Sequence, residues 1–198
     1  MKIFYVFIVL LLSPSFTSAA ELYFGVERQE VKVGDNFEVG IFLNTEGELV
    51  NAVEGHILYP PERLEFLGVQ DATSIVTLWI QKPRIEKPGE IIFSGLMPGG
   101  WQGSREFIFS VLFQAKEKGQ VILNTTAERI LLDDGKGSQA EVKRAPLTLS
   151  LSEEAAAQTF LLPHDEEMPE PFTPLVAKDQ HVFDGKWFLV FATQDKGS

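Results

Sequence analysis

The sequence contains no cysteine and only three histidines among its 198 residues. Without cysteine the chain can form no disulfide, no thioether link to haem and no thiol nucleophile. His56, His164 and His181 are far apart, and neither a nucleophile elbow nor a His-Glu-x-x-His motif is present. A glycosidase needs only two opposed carboxylates, which the 28 acidic residues could supply, but these residues lie mostly at strand exteriors and turns, as solvated surface charges do. We therefore expect no enzyme activity and no cofactor.

Basic residues are also scarce, with 17 lysines and arginines against 28 aspartates and glutamates, a net charge of -11. This balance disfavours nucleic acid and anionic membrane surfaces, which are bound through lysine and arginine. The acidic stretch Leu132–Gly137 could suggest a calcium loop. When Gly135 is aligned with the glycine of an EF-hand, however, Ile130 and Leu132 occupy the positions of the first two carboxylates. We expect a hairpin turn there and no metal site.

The N-terminus has the features of a secretory signal peptide. Lys2 precedes the apolar run Ile3–Leu12, and small residues at 18 and 20 precede Glu21. The run is too short for an ordinary membrane span, so we expect residues 1–20 to be removed on export. An uncleaved membrane anchor is the alternative. The sequence thus predicts a secreted or cell-surface protein.

From Glu21 to Leu151 the apolar residues alternate with polar ones, as in β-strands. In Asn36–Asn44, for example, Phe37, Val39, Ile41 and Leu43 share one face. About ten such runs are separated by glycine, proline and aspartate turns, and no helical period lies between them. This pattern predicts an all-β fold, an antiparallel jelly-roll β-sandwich of about nine strands. The runs are 22–26, 36–44, 50–59, 64–69, 75–81, 90–95, 106–115, 120–124, 128–132 and 141–151.

Beyond the predicted sandwich the composition changes. Residues 152–174 carry four prolines and six acidic side chains but no basic one, which is typical of an extended linker. Residues 175–198 alternate again around Asp184-Gly185. A lone hairpin is marginally stable in water, so this tail is interpreted as the start of a second β-module, incomplete here.

Residues 97–104 contain three glycines and Trp101, and they follow a strand-like run. A phosphate-binding loop would need a lysine and a hydroxyl followed by a helix, and none of these is present. We interpret the segment as a loop between strands, with Trp101 either covering the core or pointing outward.

Five segments in order resemble the cohesin family: VKVGDNFEVGIFLNT, VNAVEGHILYPPERLEFLGV, EIIFSG, REFIFSVLFQAKEKG and ILLDDGKG, within residues 31–137. The resemblance implies a nine-stranded jelly roll related to carbohydrate-binding modules. It also implies a binding module that recognises a dockerin-like or other protein partner through one flat sheet face.

The strand Val50–Tyr59 is expected to contribute to that face. Tyr59 matches the strand-ending tyrosine of the family, and counting back places Glu54 where the family often has an acidic contact residue. Ala52 and His56 share the face of Glu54, whereas the family commonly has a polar residue at position 52. Gln81 and Trp79, on the run Ile75–Gln81, are expected to extend the face, although a core position for Trp79 is equally compatible. The predicted partner-binding residues are Ala52, Glu54, His56 and Gln81.

Two other functions remain open from sequence. A carbohydrate-binding module would stack sugar rings on exposed aromatics, with Tyr59, Trp79 and Trp101 as candidates, and polysaccharide would then be the partner. A structural repeat of a surface protein would need no partner. Exposed aromatics on a surface would favour sugar, whereas a flat polar and aliphatic face would favour a protein.

Overall fold

A computed structural model describes residues 19–157, 175–178 and 185–190. The chain forms two compact units, Met1–Thr159 and Phe160–Ser198. Eleven strands lie in the first unit and two in the second, counted over the described residues. No helix in this part of the chain is long and apolar enough to cross a membrane.

The eleven strands of the first unit form two sheets that pack face to face. They are β1 Ala19–Gly25, β2 Glu30–Lys32, β3 Asn36–Asn44, β4 Val50–Leu58, β5 Leu64–Gln70, β6 Leu78–Lys87, β7 Glu90–Trp101, β8 Glu106–Ala115, β9 Gly119–Leu132, β10 Glu141–Ala145 and β11 Leu147–Ser152. One sheet has five strands in the order β10-β1-β3-β8-β5, and the other has six in the order β2-β11-β9-β4-β7-β6. The predicted all-β sandwich is therefore confirmed.

Most neighbouring strands are antiparallel, but each sheet also contains one parallel pair. β1 runs parallel to β10 in the five-stranded sheet, and β2 runs parallel to β11 in the six-stranded sheet. β1 lies in one sheet and β2 in the other, and the same holds for β10 and β11. Because each sheet has a parallel pair beside its antiparallel pairs, both sheets are mixed. The ten predicted runs become eleven strands because β2 was not predicted, the run 141–151 divides into β10 and β11, and the runs 120–124 and 128–132 join as β9.

The core lies between the sheets and is rich in phenylalanine. On β3 the alternation places Phe37, Val39, Ile41 and Leu43 inward, each at most 1% exposed. Opposing rings meet in the middle of the core: the centroids of Phe93 and Phe109 are 5.0 Å apart, with an interplanar angle of 66°. Rings in this edge-to-face geometry gain attraction beyond the burial of their area.

Three strands differ from the sequence prediction because the backbone departs from regular pleating. β9 is one strand where two were predicted, since Ala127 adopts a positive φ of 53° and a bulge interrupts the alternation. β6 continues to Lys87 through Pro83, which is tolerated because β6 is the edge of its sheet. β7 continues to Trp101, so the prediction of a loop was wrong for residues 97–101.

The second unit contains an antiparallel pair, β12 Leu175–Lys178 and β13 Trp187–Val190. Val176, Trp187 and Leu189 are exposed on it. Residues 158–174, which form most of the predicted linker, lie outside the described residues, as do residues 1–18 of the predicted signal peptide and Asp184. The domain boundaries therefore stay predictions.

Candidate binding face

The solvent-facing side of strands β6, β7, β4 and β9 is called here the β4 face. Register aligns its side chains in rows across the four strands. Gln81 pairs with Ser94, Ser94 with Glu54, and Glu54 with Arg129. The carboxylate of Glu54 lies 3.6 Å from the guanidinium of Arg129, and both side chains are exposed, at 41% and 56%. This row places one acidic and one basic group at the centre of the face.

The next row along the strands is aliphatic. Leu78 pairs with Leu96, Leu96 with Ala52, and Ala52 with Leu131. Ala52 is only 8% exposed because the larger side chains beside it cover it, whereas Leu78 at the sheet edge is 50% exposed. A small pocket of about 100 Å³ opens between this row and the Glu54–Arg129 pair. Its size suits a small aliphatic group and not a whole sugar ring.

On the other side of Glu54 lies a charged cluster around Glu90. The carboxylate of Glu90 is 2.8 Å from Nδ1 of His56 and 2.8 Å from Nζ of Lys87. The hydrogen bond from Lys87, followed by that from His56, holds the pKa of Glu90 below its usual value. These contacts fix the orientation of the His56 ring on the β4 face.

The structure brings together three of the four predicted partner-binding residues on one strand, since Ala52, Glu54 and His56 alternate on the outer side of β4. Gln81 joins them through its pairing with Ser94. Trp79 does not, because a bulge between Trp79 and Gln81 shifts the register. Trp79 packs inward, with its ring 6.2 Å from that of Phe109.

The three candidate sugar-stacking residues lie in different environments. Tyr59 is 7% exposed and its ring centroid is 5.0 Å from that of Phe113, so it belongs to the core. Trp79 packs against the same core. Trp101 is 40% exposed, and its indole Nε1 donates a 2.6 Å hydrogen bond to Glu106. Among the three, only Trp101 presents a substantial surface to solvent.

Sequence reasoning missed the aliphatic part of the β4 face. Leu78 and Ile80 are 50% and 66% exposed, and Arg129 completes the central pair. An exposed leucine in a strand has the same sequence pattern as a core leucine. Arg129 could have been found from its alternation with Ile130, had β9 been identified as the neighbour of β4.

No group of three or more histidine, aspartate or glutamate side chains that could hold a metal ion occurs among the described residues. The β4 face therefore offers charged, polar and aliphatic surface for a partner.

Comparison with known structures shows that the fold of this molecule is a cohesin-like β-sandwich. A cohesin module from a family 33 glycoside hydrolase of Clostridium perfringens superposes with a TM-score of 0.58 at 17% identity, covering 70% of this chain and 100% of that one. A non-cellulosomal cohesin from the archaeon Archaeoglobus fulgidus gives 0.57 at 19% identity, covering 69% and 94%. A type I cohesin–dockerin complex from Clostridium thermocellum gives 0.53 at 14%, covering 67% and 94%.

A scan against protein-family models and a search of curated proteins gave no match. At these identities the structural likeness establishes the fold, and the resemblance noted in the sequence is confirmed at that level.

Proposed function

We propose that this chain is a non-catalytic binding module that recognises a protein partner, dockerin-like in class, through the β4 face. The observation that carries the proposal is the composition of that face. In the two rows at the centre of that face, Gln81–Ser94–Glu54–Arg129 and Leu78–Leu96–Ala52–Leu131, no side chain is aromatic, and the one exposed ring on these strands, Trp101, lies at the end of β7. A flat surface of this kind suits a protein, whereas sugar recognition needs exposed rings.

Two further observations support a protein partner. Cohesins from Clostridium thermocellum with the same fold occur in complexes with dockerins. The small pocket beside Ala52 can also accept one aliphatic side chain, as the centres of protein interfaces often do. The charged pair at its rim then selects partners of complementary charge.

Reversing the charge of Glu54 tests the proposal. Glu54→Lys places two positive charges side by side with Arg129, so we expect the partner's Kd to rise about tenfold or more, equivalent to about 1.4 kcal/mol. Stability should change by only about 0.5 kcal/mol, since the side chain is exposed. The partner is first captured from the proteins secreted by the source organism, identified by mass spectrometry, and then measured by calorimetry.

Glu65→Lys is the matched control, because Glu65 is an exposed glutamate on β5 in the opposite sheet. It makes the same change in net charge at a position away from the β4 face. Equal binding by the parent and Glu54→Lys at low and moderate salt would contradict the use of this face. Equal weakening by both variants would show a general charge effect instead.

We further propose that the protein is exported and cleaved between Ala20 and Glu21. β1 begins at Ala19, so the cut would remove two of its residues and leave the pairs of Glu21, Leu22 and Tyr23 with β10 intact. The intact mass of protein recovered outside the cell should therefore correspond to a chain that starts at Glu21. Membrane-bound product that retains Met1 would refute cleavage.

A further inference from the structure

A cluster of aromatic rings lies on the outer side of the five-stranded sheet, opposite the β4 face. The rings of Tyr23 on β1 and Phe42 on β3 are stacked, with centroids 5.6 Å apart and an interplanar angle of 22°. Phe107 on β8 meets Phe42 edge-on at 5.7 Å. All three side chains are partly exposed, unlike the core phenylalanines. An outward aromatic cluster contributes little to the sandwich core, so its presence calls for another role.

The backbone beneath this cluster leaves space for the central ring. A Cβ atom at Gly25 would come within 2.7 Å of the Phe42 ring, and one at Gly40 within 2.5 Å. Any side chain at either position would therefore displace the ring. The Arg105 guanidinium lies 5.7 Å from the Phe42 centroid and holds it from above by a cation–π contact. Phe42 is thus fixed, and it supports the neighbouring ring of Tyr23.

Tyr23 also forms one wall of an open cavity of about 400 Å³, called here the Tyr23 pocket. Its hydroxyl donates a 3.3 Å hydrogen bond to the carbonyl of Ser104, which holds the ring at the pocket wall. Glu21, Gln29 and Asn44 line the same cavity. The Glu21 carboxylate lies 3.7 Å from Nζ of Lys143, and the Asn44 amide exchanges hydrogen bonds with Glu46. The pocket therefore combines an aromatic ring with one carboxylate and two amides.

This combination defines the ligand chemistry. A pyranose has an apolar C–H face that stacks on an aromatic ring and a rim of hydroxyls that both donate and accept hydrogen bonds. The volume falls within the roughly 300–1,000 Å³ typical of small-molecule sites. A purely apolar ligand would bury the exposed amide of Gln29 without a partner, and the net charge of -11 disfavours an anionic ligand. Neutral saccharide can stack on Tyr23 and hydrogen-bond Gln29, while the side-chain oxygens of Glu21 and Asn44 can each accept one further hydrogen bond.

We propose that the Tyr23 pocket is a binding site for neutral saccharide, with Tyr23 as the stacking platform and Glu21, Gln29 and Asn44 as hydrogen-bonding groups. The site goes beyond the proposed protein-binding function, because it lies on the other sheet and uses none of the residues of the β4 face. One module can then hold a protein partner on one side and a glycan on the other.

Affinity electrophoresis in gels containing hydroxyethylcellulose, xylan or galactomannan tests the proposal, with polygalacturonate as an acidic comparison. We expect at least one of the three neutral polymers to retard the protein more than polygalacturonate does. Tyr23→Ala should weaken that retardation at least tenfold, since the stacking platform is removed, whereas Tyr23→Phe should remain within about threefold of the parent.

Gln29→Ala provides a second variant that touches no ring, because Gln29 is exposed at the pocket rim. We expect a loss of about threefold or more with an unchanged thermal midpoint. The Glu54→Lys variant should bind the polymer like the parent. Loss of polymer binding therefore tests the Tyr23 pocket, and loss of partner binding by Glu54→Lys tests the β4 face. The saccharide site is refuted if no neutral polymer retards the protein, or if both Tyr23→Ala and Gln29→Ala bind like the parent.

Discussion

Phe109→Ala is expected to lower the free energy of unfolding by about 3–5 kcal/mol, the usual cost of removing a fully buried phenylalanine. Phe109 is 0% exposed, and its ring contacts those of Phe93 and Trp79 from the facing sheet. Truncation removes both edge-to-face contacts and leaves a cavity between the sheets, which the strands cannot close without moving together. Urea denaturation of parent and variant measures the difference.

Phe107→Ala is the matched control, because it removes the same side chain from the same strand. Phe107 lies on the outer side of β8 and is partly exposed, so its loss should cost less than half as much. Equal losses for the two variants would contradict the assignment of Phe109 to the core and of Phe107 to the surface cluster.

The second large effect concerns Glu128, whose side chain is 0% exposed although it is ionisable. Burial raises the pKa of this carboxyl, but hydrogen bonds from Arg144 and Thr125 outweigh burial and bring the pKa below its usual value. Arg144 donates through Nε and Nη2 at 2.9–3.0 Å, which is a two-pronged contact with both oxygens. A buried carboxylate with this partner stabilises the fold only while it is charged.

Arg144→Met should therefore lower the thermal midpoint at pH 7 by roughly 5 °C or more, because the carboxylate loses its main partner. In the parent, the pKa is lower in the folded than in the unfolded state, so its stabilisation is present above the ordinary glutamate pKa and is lost as pH falls through the folded value. In the variant, only the hydrogen bonds from Thr125 and the backbone still oppose burial, so the pKa of Glu128 is higher than in the parent. The difference between the two midpoints should consequently shrink as pH falls below about 4. Differential scanning calorimetry from pH 7 to pH 3 measures it.

Lys143→Met is the control for the loss of one positive charge on β10. Lys143 is 3.7 Å from Glu21 and 68% exposed, so its removal should change the midpoint little at any pH. A difference between Arg144→Met and the parent that stays constant from pH 7 to pH 3 would show that Arg144 acts by packing alone.

Regular alternation explains which parts of the molecule could be predicted from sequence. β4 carries its outward residues at positions 52, 54 and 56, and its register with β7 is unbroken from Ala52 to Leu58. Counting by two therefore placed Glu54 and His56 together correctly. The same rule failed on β6. Trp79 and Gln81 are two positions apart and would share a face in a regular strand, but the bulge between them turns Trp79 inward and Gln81 outward.

The remaining errors have a similar physical origin. Ala127 takes a left-handed backbone conformation that alanine seldom adopts, so no sequence pattern announces that β9 continues through it. The exposed leucines of the β4 face are indistinguishable from core residues until the sheet pairing is known, whereas the alternation on β3 already places Phe42 opposite the inward Ile41 and Leu43. Surface function built from apolar side chains is hard to predict from a single sequence, because such side chains are expected inside.

The two parallel pairs determine how the sandwich responds to mechanical load. β1 and β10 run side by side, as do β2 and β11, so the chain enters near Ala19 at one end and leaves near Ser152 at the other. Tension between these points pulls the paired strands past each other along their length and strains all their hydrogen bonds together, instead of peeling them apart one at a time. Resistance to forced unfolding depends on the rate of that shearing step. A module tethered at one end and pulled at the other would therefore have its two parallel strand pairs loaded in shear.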